Sequence, residues 1–109
     1  MNMDKIIKSY LPMTETAYYI LLALRKPRHG YGIMKHIEKI TNGRLILGSG
    51  TVYGTLTKMK RDGVITIIAD EKRKTVYEIT EAGKTLMRME LKRLKELYQN
   101  GLKYEEDFQ

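Results

Sequence analysis

The segment Gly48-Ser49-Gly50-Thr51-Val52-Tyr53-Gly54-Thr55-Leu56-Thr57-Lys58-Met59-Lys60-Arg61-Asp62-Gly63 decides how this chain is read. Plotted at about 100° per residue, Val52, Leu56, Met59 and Gly63 fall on one side of a helix, the side that packs inward. Gly50, Gly54, Thr57, Lys58 and Arg61 fall on the outward side, with Tyr53 and Lys60 on one edge and Thr51 on the other. A face that is merely solvated usually mixes Glu with Lys. Small hydroxyls, glycines and long cations are instead the donors that phosphates and base edges accept, and glycine lets a backbone approach closely. The face is that of a helix lying in a DNA groove.

Working outward, Leu11-Pro12-Met13-Thr14 is a break followed by a cap, with Thr14 capping a helix over residues 15–26 whose core positions are Ala17, Ile20, Leu21 and Leu24. Pro27-Arg28-His29-Gly30 stops it. A second helix spans about residues 31–41, with Ile33, Ile37 and Ile40 inward and Lys35, His36 and Lys39 outward, and Asn42-Gly43 ends it. Leu45, Ile46 and Leu47 make an extended link, the candidate first strand of a small sheet. Ser49 or Gly48 caps the third helix. Val64–Ile68 and Thr75–Ile79 then read as two strands of a hairpin whose tip is the charged run Asp70-Glu71-Lys72-Arg73-Lys74. Thr80-Glu81-Ala82-Gly83 caps a last helix over roughly 81–100.

Helix, helix, helix, hairpin, helix is the order of a winged helix-turn-helix with an added C-terminal helix. The fold class is therefore mainly α with a small β-hairpin (α+β). Residues 1–80 form the DNA-binding domain, and residues 81–109 the dimerisation helix and tail. At 109 residues the chain holds one small core. The formal net charge is +7, and residues 1–63, with 11 Lys/Arg against 4 Asp/Glu, carry all of the excess. Such a distribution favours a polyanionic partner of the third helix, although a basic surface can also be merely solvated.

On the third helix, Arg61, Lys58 and Thr57 are the candidate base readers, since Arg and Lys donate to guanine and a hydroxyl serves either partner. Tyr53, Thr51 and Ser49 are suited to phosphates, and Gly54 to close approach. Lys72, Arg73 and Lys74 would let the hairpin tip act as a wing on a neighbouring phosphate row. Met87, Leu91, Leu94 and Tyr98 on the last helix are spaced four, three and four, an apolar seam that pairs two copies. The alternative is that this helix only covers its own core.

These pieces carry a resemblance. Met13-Thr14-Glu15 leading to Ile20-Leu21-Leu22-Ala23-Leu24, Pro27-Arg28-His29-Gly30-Tyr31-Gly32-Ile33, Gly50-Thr51-Val52-Tyr53-Gly54-Thr55-Leu56 and Tyr77-Glu78-Ile79-Thr80-Glu81-Ala82-Gly83 occur in the order and spacing of the PadR family of bacterial transcriptional regulators, which the chain resembles from about residue 13 to 100. The resemblance implies a homodimeric repressor of the short type, with a single C-terminal helix. It implies that Thr51 and Tyr53 contact the DNA backbone and that the wing lies at Lys72, Arg73 and Lys74. Ser49 stands where the family often has proline. Some members stack flat cationic drugs between tryptophans of the last helix; this chain has no tryptophan, and Leu94 stands at the matching place.

Other classes find little support. With no cysteine, neither a disulfide nor a thiolate metal site can form. His29 and His36 lack a carboxylate–histidine spacing, so no metal or other cofactor is expected. No apolar run reaches the roughly 18 residues of a membrane span, and the N-terminus lacks the h-region of a secretion signal, so the expected location is cytoplasmic. No nucleophile–base pair, Gly-rich phosphate loop or paired carboxylates point to an enzyme. Expected partners are double-stranded DNA, a second copy of the chain and a small-molecule effector at the dimer. The alternative function is a winged-helix protein-interaction adaptor with only non-specific affinity for DNA.

Overall fold

The computed structural model describes residues 2–71 and 74–109. Helix α1 (Met3–Tyr10) is followed by α2 (Glu15–Ala23), strand β1 (Arg28–His29), α3 (Gly30–Ile40) and α4 (Ser49–Arg61). Strands β2 (Ile65–Glu71) and β3 (Lys74–Ile79) precede the long helix α5 (Glu81–Lys103), and a 3-10 turn (Glu105–Phe108) follows it. The three-helix unit and hairpin of the sequence reading are present, and so is the α+β class.

Each boundary has a local cause. Thr14 accepts from the Ala17 N–H and Thr80 from the Gly83 N–H, so both begin helices as expected. Thr80 also donates to the Gly63 carbonyl, tying the start of α5 to the end of α4. After α4, the Val64 N–H returns to the Met59 carbonyl at 3.0 Å and the Gly63 N–H to Lys60 at 3.1 Å. This is the Schellman pattern, and it requires the left-handed Gly63 (φ 80°). Asn42 (φ 52°) plays the same part after α3.

One element was not foreseen, and three expectations need correction. Residues before Leu11 carry a helix, α1, which Asn2 caps by accepting from the Lys5 N–H. The first strand is Arg28–His29 and not Leu45–Leu47, because Arg28 and His29 pair with Tyr77 and Val76 in a sheet of order β1-β3-β2. The Leu45–Leu47 link only buries Leu47, leaving Ile46 exposed. Ile40 and Gly63 are exposed, since each sits where its helix is unwinding. The hairpin strands run past Asp70 and to Lys74, which places Asp70 and Lys74 within the ladder, opposite Thr75 and Glu71 respectively.

The core lies where α2, α3, α4 and the start of α5 meet the sheet, with Ile20, Leu21, Leu24, Ile33, Ile37, Val52, Leu56, Met59, Val64 and Leu86 fully buried. A β-bulge between Ile67 and Ala69 turns Ile68 outward. Only the first turns of α5 reach this core, through Gly83, Leu86, Met87 and Glu90. Past Leu94 every residue is exposed, so α5 extends beyond the body.

Candidate nucleic-acid interface

Helix α4 presents two unlike sides. Val52, Leu56 and Met59 are wholly buried, while Ser49, Gly50, Thr51, Tyr53, Gly54, Thr57, Lys60 and Arg61 are exposed. Gly48 caps the helix without a side-chain hydrogen bond, so the first-turn N–H groups are open to an acceptor. The hydroxyls are partly committed. Thr55 Oγ1 donates to the Thr51 carbonyl and Thr57 Oγ1 to the Tyr53 carbonyl, both at 2.8 Å. As placed, the Thr57 oxygen is an acceptor toward solvent, matched to an amino group on a base edge.

The two cations differ sharply. The Arg61 side chain is 70% exposed, with Nε 3.5 Å from Asp62 Oδ1. Lys58 turns back instead: its ammonium lies 3.0 Å from Asp62 Oδ2, 3.4 Å from Ser9 Oγ and 4.0 Å from the centroid of the Tyr10 ring. Tyr10 Oη donates to Asp62 Oδ2 at 2.7 Å. Burial pushes the Asp62 carboxyl up, but the hydrogen bonds from Tyr10 and Lys58 and the charges of Lys58 and Arg61 outweigh it and hold the group below the usual carboxylate range. Burial, with Asp62 as partner, raises the Tyr10 phenol far above its ordinary value.

Tyr53 is positioned by Gly30. A Cβ at residue 30 would lie 2.5 Å from Tyr53 Cζ and Oη, so only glycine lets the ring rest on the start of α3. His29 caps α3, its Nδ1 accepting from the Gly32 N–H at 3.2 Å. His29, Tyr31, Tyr53, Lys74 and Thr75 line a hollow of about 370 Å³ between α3, α4 and β3. Burial, and after it the charges of Arg28, Arg25 and Lys39, push His36 down, a local sign of positive potential near α3. Lys74 is exposed at the start of β3. Lys72 and Arg73 lie outside the described residues.

On α5 the four seam candidates do not share one environment. Met87 is 8% exposed and belongs to the core of its own chain, whereas Leu91 is 47% exposed, Leu94 half-buried and Tyr98 68% exposed. Leu97, Leu102, Tyr104 and Phe108 add exposed apolar surface beyond them. Inward of the seam, Glu90 is 1% exposed and ties α5 to the link between α1 and α2. It accepts two bonds from Arg93, at 2.6 and 2.8 Å, and one from the Met13 N–H at 2.9 Å. The Arg93 hydrogen bonds above all, against the opposing effect of burial, keep its carboxyl below the usual range, with the Met13 bond adding to them.

Sequence reasoning missed Tyr10, Asp62 and Glu90. A signal existed for Asp62: a carboxylate at a helix C-terminus opposes the dipole and needs a partner, and Lys58 stands four residues before it. Among the described residues no group of three His, Asp or Glu side chains could hold a metal ion, and no helix is long and apolar enough to cross a membrane.

A body of this shape, with an exposed cationic helix beside a hairpin, is a winged helix-turn-helix protein. The sequence profile of the transcriptional regulator PadR-like family matches residues 20–89, and the chain belongs to that family. The transcriptional regulator YqjI of Escherichia coli is 36% identical over 59 residues, which are 54% of this chain and 28% of that protein, so the chain matches little more than a quarter of its relative's length. A transcriptional regulator from Clostridium thermocellum superposes with a TM-score of 0.71 at 22% identity, covering 92% of this chain and 94% of the other. A PadR family regulator from Clostridium difficile gives 0.70 at 20% identity, over 84% and 98%. These two show the shared fold. Bacillus subtilis PadR in complex with operator DNA gives 0.63 at 29% identity, over 73% of this chain and 48% of that one.

Proposed function

We propose that the chain is a homodimeric, sequence-specific DNA-binding repressor whose reading helix is α4. The observation that carries this is the exposure of Thr51, Tyr53, Gly54, Thr57 and Arg61 on the side of α4 opposite its fully buried residues. The net charge of +7 and the solved complex of a family relative with operator DNA support it. In this reading Arg61 and Thr57 meet base edges, and Ser49, Thr51, Tyr53 and Lys74 hold phosphates along the flanks. Lys72 and Arg73, which stand between β2 and β3 in the sequence, would join that row. Residues 1–80 act as the DNA-binding domain. Residues 81–109 pair two copies through Leu91, Leu94 and Tyr98, with Met87 anchoring the seam from inside. A small-molecule effector at the paired helices would release the operator by changing the spacing of the two reading helices, and DNA would weaken effector binding by the same factor.

The deciding experiment is selection of bound duplexes from a random pool by the full chain, with sedimentation run alongside. Enrichment of a pseudo-palindrome bound by a dimer is the expected result. Binding that is weak and blind to sequence, together with tight capture of a protein on the same face, would instead make the chain an interaction adaptor.

A further inference from the structure

Asp62 is an anion at the end of the helix that faces a polyanion. Its place is unfavourable twice over, since the C-terminus of a helix disfavours a carboxylate and so does nearby phosphate. Yet it is 5% exposed and receives Tyr10 Oη at 2.7 Å and Lys58 Nζ at 3.0 Å, with Arg61 Nε at 3.5 Å. We propose that Asp62 is a specificity-determining residue of α4, which holds Lys58 back against α1 and aims the Arg61 fork at a base edge.

The chemistry is a division of labour between two cations, and it rests on α4 being the reading helix. An ammonium free to reach phosphate strengthens binding to every duplex alike. A guanidinium that meets guanine through two parallel bonds discriminates between sequences. Specificity is a difference of affinities, so withholding the first while keeping the second raises it. Asp62 does both. Its Oδ2 engages Lys58, whose ammonium also rests on the Tyr10 ring and against Ser9. Its Oδ1 lies 3.5 Å from Arg61 Nε, on a side chain that is 70% exposed, so the guanidinium fork stays open to DNA. Tyr10 donates to the same Oδ2 that engages Lys58, which makes α1 a positioning part of the interface.

The test is equilibrium binding of the full chain to a duplex selected from a random pool and to a random duplex, each across a salt series. Asp62→Asn is expected to tighten random-duplex binding about fivefold at low salt. It should also steepen log affinity against log salt by about 0.9, the value of one added phosphate contact. The ratio of selected to random affinity should fall accordingly. Adding Lys58→Gln to Asp62→Asn should abolish the gain, because the freed ammonium is its source. Tyr10→Phe keeps the ring beneath Lys58, deletes the hydroxyl and should shift both readouts the same way by less; it carries the test if Asp62→Asn does not fold. An unchanged slope and ratio in the folded variants overturns the inference. If the unaltered protein enriches no sequence at all, the reading of α4 fails first and takes this inference with it.

Discussion

At the scale of single residues, two buried carboxylates and one glycine do most of the positioning. Glu90 and Asp62 both titrate below their ordinary values in the folded chain. Their unfolded values are about 4.3 and 3.9. A depressed folded value stabilises the native state fully above the unfolded one, and that stabilisation disappears as pH falls through the folded value. The urea midpoint should therefore drop between pH 6 and pH 3. Glu90→Gln should lower stability by about 1–2 kcal/mol at pH 6, the worth of the charge-assisted bonds to Arg93, and should flatten the acid loss. An acid drop equally steep in the variant would remove Glu90 as a contributor. Gly30→Ala tests positioning: the added methyl meets only the outer end of the Tyr53 side chain, which can swing away. Stability should change little, while affinity for a selected duplex should weaken by about 1 kcal/mol, one lost hydrogen bond to phosphate. Unchanged affinity in a fluorescence titration would mean that Tyr53 does not touch DNA.

At the scale of elements, the helices were the most legible part. Thr14 and Thr80 announce starts, Asn42 and Gly63 announce stops, and the inward triad of α4 follows from its 3.6-residue spacing. The two-residue β1 was not legible, because its only stabilisation is pairing with Tyr77 and Val76, nearly fifty residues away in sequence. Helix α1 was hidden by its polar surface; just Ile6 and Tyr10 are buried, too few to show a period. The face of α4 was readable, but the direction of Lys58 was not, since that depends on Asp62 and on Tyr10, 48 residues before it. On the proposed reading, Arg61 is the element's principal reader. Arg61→Ala should weaken a selected duplex by about 1–3 kcal/mol and relax preference at one base pair. Equal losses on selected and random duplexes in a gel-shift titration would make it a phosphate clamp.

At the scale of the whole molecule, the chain measures 55 × 34 × 21 Å, elongated beyond what its packed core needs. Leu91, Leu97 and Tyr98 leave apolar surface exposed on the outer part of α5, which the proposed pairing of two copies would cover. Leu97→Lys, at an exposed site, should yield a monomer by sedimentation at micromolar concentration and leave the thermal midpoint of the winged body in place. Paired chains would set the two α4 helices about 34 Å apart, one turn of duplex. A monomer for the unaltered chain would end the two-headed scheme.

From Glu90 to the end of α5 at Lys103 the helix runs on for thirteen residues, about 20 Å. A boom of that length, pivoting where Glu90 grips the Met13 amide, sweeps its tip by about 3.5 Å for each 10° of tilt, close to the rise of one base pair. Small angular play at that bearing would thus be geared into a whole-step mismatch along the duplex.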